Sequence, residues 1–587
     1  MINRVYWESI DRTRIDTEII TSLKENADKF REKPLVEMTF QTYRQFHQTG
    51  DREEFERCYF GRRKRLTTYG LLAYIYPENN DYLLLLENEL WQVCQEFTWS
   101  LSAHINQDLE EQSYEDFRNN YSLRYTIDLF AAETAFTLAE LLHIFTNRLD
   151  QFLIEKVRIE IYRRVLKEFI ENGQLHWETS THNWAAVCAG SIGSAAIYIM
   201  GEDPGLGEVL DRVNQTMEYY LSGFKADGAC MEGFNYWQYG FGYFVYYIDL
   251  FEKYTGKASD FWERRKVKEI SLFQQKVFLA NNDTVNFSDA YRRAKPMLGF
   301  TQYLHKKFSE VHIHSDHFSQ KEIIDHCGRW APAFRELIWS KPETGSDWPE
   351  ADYLLADSAI MVSRLMKKNR TFAFAAKGGN NDEPHNHNDI GHFILFSGNQ
   401  YFLKDLGAGQ YNKDYFGEAR YHFICNSSAG HSVPVINGFT QSAGANYYAK
   451  LKTAAVNENT NLFSLQMEKA YDDPILTSYN RTFSWEKQEP RLILEDVFSF
   501  SETPVSLIET FILEDMTYEI FDHYIIFYQK NESFRISFHS ITGNKNIERK
   551  CFINHYGEEE YFLVFHLEVL DLQQWTKVSF TFEWLTG

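Results

Sequence analysis

The hydrophobic period of the chain changes at residues 341–349. Before this Pro-, Gly- and Ser-bearing link, apolar residues recur three and four apart; after it they alternate. One kind of element cannot satisfy both patterns, because a helix repeats its faces every 3.6 residues and a strand every two. The chain therefore divides into a helical stretch, residues 1–345, and a strand-rich stretch, residues 346–587, each long enough for its own core. In the first, residues 126–145 and 152–169 are amphipathic runs of helical length, and turn residues break the text at 77–81, 172–173, 201–207 and 254–256. Antiparallel helix pairs joined by short loops predict an α/α barrel or solenoid, and the lack of a strict repeat weighs against the solenoid. In the second, residues 371–375, 491–498, 524–528, 534–538 and 577–584 alternate as an antiparallel β-sandwich does.

Residues 380–392 hold His385, His387 and His392 among carboxylates and amides. Such a stretch cannot be core, since burying unpaired polar groups costs roughly 2–7 kcal/mol each. It is a solvated loop or a built site, and His-x-His favours the site, because on a strand residues two apart point the same way. His387, Asp405 and His431, spread over neighbouring strands, form an N/N/O set suited to zinc; the bland alternative is three satisfied histidines and carboxylates. In the helical half, His182 and Asn183 enter an Ala/Gly-rich helix, where Asn183 has the chemistry of an N-cap. If residues 227–243 are helical, Tyr236, Tyr239 and Tyr243 share a face, and the Gly and Glu232 among them suggest a cleft wall rather than plain core.

The net charge of −23 excludes generic binding to nucleic acid or to anionic membranes, which needs a basic face. It leaves an anionic substrate open, provided that cations gather locally. Arg420, Arg124, Lys377 and the run 62–65 are the candidates, the run reading first as a solvated helix face. Seven scattered cysteines without CxxC read as reduced thiols. The N-terminal residues lack an apolar signal core and no run approaches about 18 apolar residues, so the expectation is a cytoplasmic chain without a membrane span. Residues 201–207 match neither phosphate-loop pattern and read as a helix–helix loop.

Taken in order, several segments resemble the heparinase II/III-like polysaccharide lyases, from about residue 128 to 496. They are His-Asn-Trp at 182–184, the Asp-Gly…Glu-Gly…Tyr-Trp-x-Tyr-Gly pattern at 227–240 and Asn-Phe-Ser-Asp at 286–289. His-x-His-x-Asp at 385–389, Asp-x-Gly at 405–407 and Asn…His…Asn-Gly at 426–438 complete the set. The resemblance implies a multidomain α+β fold, an incomplete (α/α) toroid followed by a β-sandwich, and cleavage of uronate-containing glycosaminoglycans by β-elimination. That reaction needs neutralisation of the uronate carboxylate, a base for the C5 proton and an acid for the departing O4. By resemblance, Asn183 neutralises the carboxylate, Tyr239 is the acid and a candidate base, and His385 completes the catalytic group, with His182 a second candidate base. Glu232, Tyr236, Trp237, Arg420 and Arg124 then bind substrate. His387, Asp405 and His431 hold a structural divalent metal, zinc first and manganese or calcium behind it. The expected partner is an anionic polysaccharide or oligosaccharide, with homo-oligomerisation left open. Rival readings are a lyase for alginate or another polyuronate, a glycoside hydrolase using Glu232 with Asp227, and a non-catalytic carbohydrate-binding protein.

Overall fold

The structure, a computed structural model, describes residues 15–33, 37–105, 123–341, 345–530, 532–538 and 542–585. It has a helical N-terminal region followed by antiparallel β-sheets. Contacts divide the chain into two compact units. One comprises Met1–Phe224, Tyr236–Lys268 and Lys295–Gly345, and the other Lys225–Asn235, Glu269–Ala294 and Ser346–Gly587.

In the helical unit, the Leu129–Phe145 helix packs against the Asn183–Met200 helix. Asp128 caps the first of these by accepting the Ala131 N–H at 2.8 Å. Every residue from Leu129 to Leu142 is buried, so this is a central core helix and not the amphipathic one its spacing predicts. Asn183–Met200 has the length and mean hydropathy, 1.3, of a membrane span, but 78% of it is buried inside the protein. Its glycines admit a neighbour: a Cβ on Gly190 would stand 2.8 Å from the Tyr243 carbonyl oxygen. The 152–169 run behaves as expected, burying Leu153, Ile154, Val157 and Ile161, and passes through a π-helical turn at Tyr162–Leu166. The 62–65 run is not a solvated face. Arg63 forms two 2.8 Å bonds to Glu96, and Arg65 bonds Glu89 and the Phe30 carbonyl, both at 2.7 Å.

In the second unit, one sheet runs in the order Lys450–Ala455, Thr460–Gln466, Leu476–Glu486, Arg491–Phe500, Trp575–Leu585, Glu532–Phe538, Tyr524–Gln529, Thr517–Ile520. The other runs Gly543–Ile553, Glu559–Val569, Leu507–Glu514, Gln400–Leu403, Phe393–Ser397, Arg370–Lys377, Ile360–Lys367, Ala351–Leu355, with Val435–Ile436 beside Leu507–Glu514. Leu476–Glu486 and Arg491–Phe500 alternate buried and open positions, as a sheet with one covered face must. The sheets pack through aromatics: Phe393 lies 5.3 Å from Phe483 and 5.4 Å from Phe582.

Two segments expected to be helical join these sheets. Phe278–Ala280 pairs with Asp283–Thr284, and Phe278 stacks on Trp348 at 4.5 Å. The Tyr401 hydroxyl donates to the Thr284 carbonyl at 2.8 Å. Asp227 accepts the Ser358 N–H and hydroxyl, both at 2.8 Å. These attachments place residues 286–289 against the strand ends that carry the histidines.

Candidate active site and metal centre

The stretch 380–392 is a built loop, not a solvated one. Its start, Asn380–Asn381, pairs with Gly444–Tyr448, and its end runs into Phe393–Ser397. Between them the Gln441 side chain clamps Ile390, accepting its N–H at 2.9 Å and donating to its carbonyl at 2.7 Å. The Asn388 N–H donates to the Asn426 carbonyl at 2.9 Å, and Asp389 is neutralised by buried Lys377 at 2.8 Å. Lys377 is therefore committed to the loop and is not a substrate cation.

His387, Asp405 and His431 are fully enclosed, and their ligand atoms lie within 4.8 Å of one another. Hydrogen bonds select which atoms are available. His431 Nδ1 donates to the Ser427 carbonyl at 2.9 Å, leaving the Nε2 lone pair facing inward. His387 places Nε2 3.0 Å from the Asp289 carboxylate, leaving Nδ1. Asp405 Oδ1 accepts the Gly407 N–H at 2.7 Å, leaving Oδ2. Those three inward atoms are buried without a hydrogen-bond partner among the described residues. Orphaned acceptors at this density fit a divalent cation, and two imidazole nitrogens with one carboxylate oxygen suit zinc. The protein alone resists charging them: burial lowers His431 to about 4, and burial with the nearby Asp389 charge raises Asp405 well above the carboxylate range. His392 is excluded by its own tautomer. Its Nδ1 accepts the Ser432 N–H at 2.8 Å, so Nε2 carries the proton; it stands 3.3 Å from Asp405 Oδ2 without hydrogen-bonding geometry.

Asp289 supports both histidines of the His-x-His pair. Its Oδ2 lies 2.8 Å from His385 Nδ1 and 3.1 Å from Arg420 Nη2; its Oδ1 lies 3.0 Å from His387 Nε2 and accepts the Tyr415 hydroxyl at 2.5 Å. Burial alone would raise its pKa, but the hydrogen bonds from His385 and His387 hold it well below the ordinary value. An ionised carboxylate only accepts, so His385 carries its proton on Nδ1 and presents Nε2, which lies 3.5 Å from Glu232. His385 and Ser288 are both non-glycine residues at positive φ, 57° and 63°. Residues 286–289 match a recognised motif, but nothing in the sequence assigned Asp289 a role.

In the helical unit the helix that carries Tyr239 packs on Asn183. Asn183 is not the N-cap. His182 holds that position without a side-chain cap bond, and Asn183 opens the helix, 6% exposed. Gly240, beside Tyr239, packs directly on Asn183. The Tyr239 hydroxyl bonds the buried Glu133, and Arg329 lies 4.1 Å over the tyrosine ring with Nε 3.2 Å from both Glu133 oxygens. Arg329 also holds Asp325 at 2.6 Å. Burial raises Tyr239 well above the usual tyrosine value, Arg329 opposing and Glu133 adding to the rise. At neutral pH the hydroxyl is therefore protonated, the state of a general acid. Glu133 and Arg329 carry no motif and were missed in the sequence.

The remaining expected residues divide. Glu232 is buried beside His385 in the sheet unit. His182, Tyr236 and Arg124 are half-buried in the helical unit, Arg124 lying 5.6 Å from the Tyr125 ring. Trp237 is fully enclosed with Phe241 and Phe300 at 5.9 and 5.7 Å, a core residue with no face for a sugar. Arg420 is spent inside the loop: besides Asp289 it donates to the Asn386 carbonyl at 3.1 and 3.0 Å and to the Tyr415 carbonyl at 3.2 Å.

Residues 353–560 match the family described as heparinase II/III-like, C-terminal. No curated protein sequence matches the chain. Among solved structures, a heparinase III superposes with a TM-score of 0.66 at 12% identity, covering 100% of this chain and 94% of that one. A mutant of heparan sulfate lyase HepC from Pedobacter heparinus gives 0.61 at 13% identity, covering 96% and 83%. A second heparinase III gives 0.63 at 10% identity, covering 98% and 86%. At these identities the likeness establishes the fold.

Proposed function

We propose that this chain, whose residues 353–560 belong to the heparinase II/III-like family, is a polysaccharide lyase that cleaves uronate-containing glycosaminoglycan chains by β-elimination. The observation that carries this reading is the Tyr239–Glu133–Arg329 group, on a helix that packs on Asn183 through Gly240. In the proposed reaction the Asn183 amide donates to the uronate carboxylate, stabilising the charge that develops as the C5 proton leaves. The role of base for that proton goes to His385, which the resemblance places in the catalytic group and whose Nε2 is presented by Asp289. The C4–O4 bond breaks, a C4–C5 double bond forms, and Tyr239 supplies the proton for the departing O4. A divalent cation held by His387, Asp405 and His431 would supply a fixed charge that locks the loop around His385. The names of the similar structures, heparinase III and heparan sulfate lyase HepC, support this substrate class. Asp227 is committed to Ser358, which disfavours hydrolysis by a Glu232–Asp227 pair.

The test is ultraviolet absorbance of the unsaturated uronate on heparan, chondroitin, hyaluronan and alginate chains with metal present. Absorbance on a glycosaminoglycan, lost in Tyr239→Phe, is the expected result. A new absorbance on alginate alone moves the substrate class. Its absence on all four, or Tyr239→Phe with full activity, overturns the reading.

A further inference from the structure

The His-x-His pair turns its two rings to different tasks, yet both rings lean on one carboxylate. Asp289 has four neighbours on two oxygens: His385 and Arg420 on Oδ2, His387 and Tyr415 on Oδ1. Arginine can only donate, and a tyrosine hydroxyl can donate or accept. Each imidazole has one proton when neutral, so whichever nitrogen faces an acceptor must carry it, and the other keeps its lone pair. For His387 that leaves Nδ1, the atom facing Asp405 and His431; for His385 it leaves Nε2, because Nδ1 lies 2.8 Å from Asp289 and Nε2 only 3.5 Å from the Glu232 carboxylate.

The same short segment reaches the metal centre a second way. Asn286 donates to the Asp405 carbonyl at 3.0 Å, and a Cβ on Gly407 would stand 3.0 Å from the Asn286 amide nitrogen. Residues 286–289 thus touch two of the three ligand residues and His385, through Asn286 at one end and Asp289 at the other. Ser288, at φ 63°, turns the backbone between them.

We propose that Asp289 is a positioning residue that sets the tautomers of His385 and His387 together, so that retention of a divalent metal and presentation of the reacting nitrogen depend on one carboxylate. The proposal rests on the lyase reading for the task of His385, but not for the tautomers themselves. Only a group with two acceptor oxygens satisfies both rings. In Asp289→Asn one oxygen becomes an NH2 donor. Arg420 keeps the remaining oxygen on its side, and Tyr415 tolerates the NH2 by accepting from it. His387 must then accept through Nε2 and carry its proton on Nδ1, where the metal would bind. The opposite amide orientation forces the same change on His385.

The experiment uses the full chain loaded with zinc. Metal stoichiometry and affinity are measured for wild type and Asp289→Asn, and nitrogen-15 shifts of the histidine rings report the tautomers. Wild type is expected to show Nδ1–H on His385 and Nε2–H on His387. Asp289→Asn is expected to weaken zinc binding by at least ~10–100-fold, the size seen when a ligand's supporting partner is lost. Tyr415→Phe, which leaves both carboxylate oxygens accepting, is expected to keep both tautomers and the metal. Unchanged zinc affinity together with an unchanged His385 tautomer in Asp289→Asn overturns the proposal. If that variant does not fold, an Nε2–H tautomer on His385 in the wild type overturns it equally. None of these readouts needs substrate, so a wild type that turns over no uronate chain removes the lyase reading and leaves the tautomer result standing.

Discussion

A Cβ on Gly240 would lie 3.1 Å from the Cβ of Asn183 and 3.2 Å from its Cα. The helix bearing Tyr239 therefore touches the first turn of the helix bearing Asn183, with the Tyr220 hydroxyl 3.0 Å from the same point. Gly190 and Gly193 continue the close approach: a Cβ on Gly193 would stand 2.6 Å from the Tyr247 ring. The approach of these helices is set by glycines, although glycine inside a helix is otherwise unfavourable by roughly 1 kcal/mol against alanine.

Gly240→Ala should accordingly damage chemistry more than folding. The added methyl meets the Tyr220 hydroxyl and the Cβ and Cα of Asn183, which must give by a few tenths of an ångström. Overpacking of this kind costs about 1–3 kcal/mol, and misplacement near the reacting atoms costs up to ~10²-fold in rate. Ultraviolet assay should show kcat reduced by about 10–100-fold in a protein that still melts cooperatively. Wild-type kcat in Gly240→Ala would mean that the packing of these two residues does not matter.

His387→Ala and His385→Ala should separate metal from turnover. His387 points Nδ1 at the ligand group, whereas His385 has its Nδ1 on Asp289 and lies outside it. Elemental analysis should find about one zinc in wild type and in His385→Ala and little in His387→Ala. Turnover should fall in both. Chelation should lower the wild-type melting temperature, because a ligand at ~1,000 times its Kd contributes about 4 kcal/mol. Equal zinc loss in the two variants would contradict the division of roles.

The change of period at 341–349, the polar loop and the His387/Asp405/His431 set were legible because each is a local pattern or a choice of residue types. What the sequence hid are pairings across long separations. Asp289 lies 96 residues from His385, and Glu133 lies 106 from Tyr239. No spacing rule reaches that far, so Asp289 stood in a motif without a role and Glu133 went unseen, although the residues they support were named. The same blindness misread the cations. The 62–65 run, Lys377 and Arg420 look available in a sequence, but each meets a buried anion in the fold. Trp237 failed for a different reason: a helix face rich in aromatics has the same spacing whether it lines a cleft or fills a core.

Arg63 gives that correction a measurable form. Its guanidinium grips buried Glu96 with two bonds and lies 4.1 Å from the Tyr59 ring. Arg63→Ala leaves Glu96 buried with part of its charge uncompensated, a loss of about 3–5 kcal/mol for a buried pair. Denaturation should show that loss, while KM for the substrate changes by less than about twofold. A large rise in KM with unchanged stability would return the run to the substrate site.

Glu336 gives the helical unit a dependence on pH. Its carboxyl reaches from the Trp330–Trp339 helix to the start of Leu298–Lys307, accepting the Gly299 N–H at 2.9 Å where that helix has no side-chain cap of its own. Burial raises it to about 7 from an ordinary 4.5, even though three backbone N–H groups favour the charged form. The folded state holds this proton more tightly than the unfolded chain. Its contribution is therefore complete below about pH 4.5 and is lost as pH rises through 7. The rise corresponds to about 3 kcal/mol, present at pH 4.5 and absent by pH 8. Glu336→Gln keeps an acceptor for the helix and removes the titration. Hydrogen exchange of the Leu298–Lys307 amides should accelerate in wild type between pH 5 and 8, after correction for intrinsic rates, and should stay level in Glu336→Gln. At pH 8 the variant should be the better protected of the two. Parallel profiles would show that the carboxyl is already ionised at pH 5.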